Sequence, residues 1–190
     1  MPYVERVTKA GNTIEIERYF TSRYKKKGIS RGDKVKPTKE EQEKCIDFYI
    51  THTDYINNWD LVDLSCYKIL GKWLADKDRS LLYDWARGNH LWKQRIAMVS
   101  CMHFIRQGDF KDGLAIADIL LQHSHDLIQK AVGWLLREIG KKDKQTLTDF
   151  LAKRYNRMPR TALRYAIERF PEEERKSYLI RNFKSERPNS

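Results

Sequence analysis

Residues 112–140 read DGLAIADILLQHSHDLIQKAVGWLLREIG, and this stretch decides the architecture. Leu114, Ile116, Ala117, Ile119, Leu120 and Leu121 give one helix a broad apolar face. After a break carrying His123 and His125, the residues Leu127, Ile128, Ala131, Val132, Leu135 and Leu136 do the same for a second helix. The period is that of two consecutive amphipathic helices joined by a brief turn. Such a pair buries its apolar stripes only against further helices.

The same period extends outward in both directions. Helices are predicted near 38–53, 58–75, 79–87, 90–106, 112–122, 125–139, 143–155, 159–169 and 171–183. Pro37 followed by Thr38-Lys39-Glu40-Glu41 is a capping box that opens the first. Gly88-Asn89, Gly108-Asp109, Gly140 and Pro171 are the expected stops. No strand pattern follows residue 21, so the fold class is mainly α. Short helices with brief turns predict a solenoid of antiparallel pairs, on spacing alone, because no strict repeat is visible. The front differs. Residues 3–8 and 13–20 alternate apolar and charged side chains around Ala10-Gly11-Asn12, which predicts a β-hairpin. A basic, glycine-containing segment then leads to Pro37. The expected division is therefore 1–37, hairpin and basic linker, and 38–190, helical repeat.

Composition narrows the function classes. The 190 residues carry a formal net charge of +11, with basic flanks around a near-neutral centre, which suits a protein that grips a polyanion. Ordinary solvation of a lysine-rich surface explains the same numbers. No apolar run spans a bilayer and the N-terminus has no signal-peptide character, so no membrane role is expected and the chain is read as cytosolic. Cys45, Cys66 and Cys101 sit in apolar helical patterns and read as buried thiols. His123 and His125 lie two apart, a spacing that does not place both rings on one helical face for a metal.

Four clusters set large aromatics or turns beside charge. In Asn57-Asn58-Trp59-Asp60-Leu61-Val62-Asp63, an asparagine caps a helix on which Trp59 and Asp63 share a face. In Trp92-Lys93-Gln94-Arg95, the arginine at the rim of an apolar helix suits an acid partner or a phosphate. Lys130, Trp134, Arg137 and Glu138 fall along one side of a helix. That helix also contains Gly133, a residue costing ~1 kcal/mol there unless another helix or a ligand comes close. The fourth cluster runs from Lys153 through Arg157, Pro159 and Arg160 to Arg164, a basic turn opening a helix and suited to a phosphate. Each also has a plain reading: core tryptophans, a buried ion pair between Arg137 and Glu138, a turn that faces water.

The order of these motifs adds a resemblance. NNWDLVD, LWKQRIA, LIQKAVGWLLREIGK and MPRTALRYAIERF, in that order across roughly residues 47–183, resemble the AlkD-type DNA alkylation repair glycosylases, HEAT-like helical-repeat enzymes. The first 45 residues or so are atypical of that family, whose members usually carry further helices there. The resemblance implies hydrolysis of the N-glycosidic bond of positively charged alkylpurines, of the 3-methyladenine and 7-methylguanine type, in double-stranded DNA. It implies Asp63 as the catalytic carboxylate, with Trp59, Trp134 and Arg95 at the substrate. Lys130, Arg157, Arg160 and Arg164 are the further expected DNA contacts. It implies no strand-cleaving lyase step, no metal or organic cofactor, no obligate protein partner, and a bacterial cytoplasmic location on the nucleoid. A non-catalytic DNA-binding scaffold is the alternative. The chemistry suits the residue types: departure of a cationic base leaves positive charge on the sugar, which a carboxylate stabilises, and tryptophan faces attract cations.

Overall fold

A computed structural model describes the backbone of residues 38–185 and the side chains to residue 180. The predicted hairpin lies outside the described residues. Those described are mainly helical, with no strand among them. The chain divides between Leu61 and Val62 into two compact units.

The described part of the first unit is built on α1 (Lys39–Thr51). Its capping box forms as predicted: the Glu41 amide donates to Thr38 Oγ1 at 3.3 Å and the Thr38 amide to Glu41 Oε2 at 3.0 Å. Ile46 and Tyr49 are its buried face. A 3₁₀ turn (Thr53–Tyr55) follows, and α2 (Trp59–Ser65) then begins, with the Asp60 amide donating to Asn58 Oδ1 at 3.0 Å.

In the second unit α2 runs on through a π turn (Tyr67–Gly71) into a 3₁₀ turn (Leu74–Asp76). The widened turn is closed by the Gly71 amide donating to the Cys66 carbonyl at 2.9 Å. A Cβ at Gly71 would stand 2.4 Å from the Ser100 carbonyl oxygen, so only glycine admits this backbone approach. Next come α3 (Ser80–Arg87), α4 (Leu91–Ser100), α5 (Met102–Arg106) and α6 (Lys111–Ile119). The chain ends in α7 (Asp126–Lys142), α8 (Lys144–Ala152), α9 (Arg160–Ala166) and α10 (Glu172–Ser185). Helix α7 packs on α4, α8 and, most extensively, α9, while α3 pairs with α4. Ile96, Ala97, Met98 and Val99 of α4 and Ile128, Val132, Leu135 and Leu136 of α7 are wholly buried, so these two helices are the core of the unit.

Two expectations change. The helix predicted over 90–106 breaks at Cys101, whose amide turns back to Met98 O at 3.2 Å and tightens the chain between α4 and α5. Gly140 does not end α7, which continues to Lys142. Gly140 packs instead under Leu147 of α8, and Asp143 makes the break by accepting the Thr146 amide at 3.1 Å as the cap of α8. Gly108, at φ +86°, is a true stop. Among the described residues no helix is long and apolar enough to cross a membrane.

Candidate functional site

Val62 and Cys66, one turn apart and wholly buried, fix the rotation of α2 and leave Asp63 at the edge of its buried face. Arg95 stands on α4 directly before the apolar run that anchors that helix. Arg95 Nε donates to Asp63 Oδ1 at 2.9 Å and Nη2 to Oδ2 at 2.6 Å, a complete fork. The remaining arm, Nη1, donates to the Leu127 carbonyl in the first turn of α7. One guanidinium thus ties three helices together. The side chains keep 6% exposure for Arg95 and 15% for Asp63, so the carboxylate retains a path to solvent. The fork takes one lone pair of each carboxylate oxygen. Beneath it, burial pushes the Cys66 thiol far above its ordinary range, and Cys101 likewise, so neither offers a thiolate.

The structure therefore pairs two of the residues singled out from sequence. Arg95 takes the acid partner, which turns its guanidinium toward the protein instead of outward. The Leu127 carbonyl, which completes the clamp, is a backbone group that no motif announces. Trp59, 51% exposed, belongs to the first unit. Trp134 is half-buried on α7.

One turn beyond Leu127, Lys130 Nζ pairs with Asp126 at 2.6 Å, and that hydrogen bond raises the lysine pKa. Gly133 has the reason its position demanded: a Cβ there would lie 2.5 Å from both the Ala162 carbonyl oxygen and Tyr165 Cβ. Helix α9 is the neighbour that needs the space. Its close approach sets Arg164 and Tyr165 beside Asp126 and Lys130, and a cavity of about 400 Å³ lies between them and α10. Arg137 pairs with Glu168 and lies 3.7 Å from Glu138, the ion-pair role weighed for it. Arg157 is exposed in a 3₁₀ turn (Tyr155–Arg157), and Arg160 Nη1 donates to the Leu179 carbonyl at 3.4 Å. Helix α9 has seven residues, too few for the phosphate-binding helix start expected there. Sequence reasoning missed Tyr165 and Arg175, which join Lys130 and Arg164 at the cavity.

The family model described as DNA alkylation repair enzyme matches residues 28–170. The chain belongs to the DNA alkylation repair enzyme family. A comparison with curated proteins gives no match. The match starts well ahead of residue 47, so all of α1 belongs to the region this family shares, and the atypical front is shorter than expected. It ends at Phe170, which leaves α10 beyond it. Membership in a DNA repair family makes DNA the implied partner.

Proposed function

We propose that this DNA alkylation repair enzyme is a monofunctional glycosylase. It would release positively charged alkylpurines of the 3-methyladenine and 7-methylguanine type from duplex DNA, along a HEAT-like solenoid of helix pairs. The observation that supports it most is the forked, partly accessible Asp63 carboxylate on Arg95. Such a group is held rigidly and needs no reorganisation as charge develops. In the reaction the bond from the sugar C1′ to the base nitrogen breaks, and its electron pair neutralises the cationic base. The sugar takes the positive charge. Water adds its oxygen to C1′ and gives up a proton to Asp63 or to solvent. The base leaves without a general acid, because alkylation has already made it cationic. No lysine is required as a nucleophile, so the strand stays intact. Trp59 and Trp134 supply aromatic faces for the cationic nucleotide, and Lys130, Arg157, Arg160 and Arg164 supply charge for the backbone. In this reading Arg95 positions Asp63 and does not bind DNA.

The test is release of free base from methylated duplex DNA. Asp63→Asn is expected to slow release on the order of a hundredfold, while duplex binding persists with its salt dependence. Equal rates in the variant and the parent overturn the assignment.

A second reading has its own support. A carboxylate so fully engaged by one guanidinium, and only 15% exposed, is also what a structural ion pair looks like. In that case the protein is a DNA-binding scaffold that holds duplex DNA and releases no base at all.

A further inference from the structure

The cavity between α7, α9 and α10 carries more than a contribution to surface charge. We propose that it is a subsite for a single nucleotide, with the phosphate held by Arg164 and Arg175 and the base laid against Tyr165. Its volume of about 400 Å³ suits one small ligand. The carboxylates on its wall are already engaged, Asp126 by Lys130 at 2.6 Å and Glu168 by Arg137. Arg164 and Arg175 are exposed, and neither guanidinium has a hydrogen bond or ion pair among the described residues. Two uncompensated guanidiniums on one concavity repel each other, and a phosphate that accepts from both relieves this. Tyr165 is 37% exposed there, with Leu179 as an apolar neighbour. An aromatic face beside paired guanidiniums matches a ligand with a π-system and a phosphate in one molecule, and a nucleotide has both.

Two features place this subsite apart from the Asp63 centre while keeping it near. Lys130, on its wall, lies one turn past Leu127, the residue whose carbonyl anchors Arg95. Arg175 and Leu179 come from α10, beyond the region matched by the family model. Lys130 and Arg164 serve the glycosylase reading as backbone contacts, but Asp63 does not line the cavity, so the subsite can be tested apart from the catalytic assignment.

The experiment is an NMR titration of the full chain with dAMP, with 2′-deoxyadenosine and inorganic phosphate as separate probes. Saturable shifts confined to α7, α9 and α10 are expected with dAMP, and about tenfold weaker binding of each half-ligand. Arg164→Ala and Arg175→Ala should each weaken dAMP about tenfold. Tyr165→Ala should reduce its affinity to that of inorganic phosphate. Asp63→Asn should bind dAMP as the parent does, so a failed glycosylase assignment leaves this result untouched. Displacement of dAMP by unmodified duplex assigns the nucleotide to the DNA strand, and its absence assigns it to a free nucleotide; either supports the subsite. Absence of saturable binding, indifference to Arg164→Ala, or phosphate binding as tight as dAMP overturns the proposal.

Discussion

Asp63 and Arg95 hold each other in a site where either one alone is costly. Removing one partner of a buried pair leaves the other charge desolvated and unmatched, at about 3–5 kcal/mol. Asp63→Asn should therefore lower thermal stability as well as base release, and loss of activity by itself does not separate chemistry from folding. Replacing both residues does. The double variant Asp63→Leu with Arg95→Met removes both charges and keeps the volume roughly filled, so its Tm should recover most of the loss seen in Asp63→Asn. Base release should stay at least as slow as in Asp63→Asn. If the double variant released base at the parental rate, the carboxylate would have no part in the reaction.

Helix packing depends on two kinds of contact that operate between elements. The first is close backbone approach. Gly133→Ala drives a methyl group into the Ala162 carbonyl and Tyr165 Cβ, both of them 2.5 Å away, so α9 must shift from α7. A destabilisation of roughly 1–3 kcal/mol is expected, measured by denaturant midpoint; an unchanged midpoint would show that α9 moves freely. The second is the anchor at Arg79. Its Nε donates to the Leu74 carbonyl at 3.1 Å and its Nη2 to the Ala75 carbonyl at 2.9 Å, so it caps the end of the long α2 segment. Nη1 pairs with Asp109 at 2.7 Å and with Asp112, which also accepts from Tyr83 Oη at 2.6 Å. The guanidinium lies 3.7 Å over the Phe104 ring. Arg79→Ala strips Asp112, nearly buried, of its cation and should cost about 3–5 kcal/mol. Arg79→Lys should recover only part of that in the same unfolding measurement, because an ammonium cannot span the fork and both carbonyls. Full recovery would mean that charge alone matters there.

Across the whole molecule, pH reports how these contacts combine. Burial holds His123 and His103 below their ordinary value of 6.5. His123 is fixed in its neutral form: Nε2 donates to Gln94 Oε1 at 3.1 Å, while Nδ1 accepts the His125 amide at 3.0 Å. On acidification the unfolded chain takes up these protons first, so their contribution is complete above pH 6.5 and declines below it. The hydrogen bonds from Arg79 and Arg154 depress Asp109 and Asp118 below 3.8. Their contribution is present above that value and is lost as pH falls through the folded pKa. Thermal melts should show a first decline in Tm below about pH 6.5 and a second, steeper one below about pH 4. A Tm that stays flat from neutrality to about pH 5 would remove the histidines from the account.

Apolar periodicity, caps and stops are local, and they placed the helices within a few residues, including the capping box at Thr38 and the turn at Gly108. The ordered motifs pointed to the family, and Gly133 announced that something must come close to α7. Which partner each charge took was settled only when distant segments met. Arg95 was legible as an arginine suited to an acid or a phosphate, and the answer, Asp63, stands 32 positions away. Gly140 looked like a stop because its need for a small residue arises from Leu147 packing on it, a tertiary contact. Electrostatic pairing and backbone approach depend on distances between chain segments, and those distances exist only in the folded molecule.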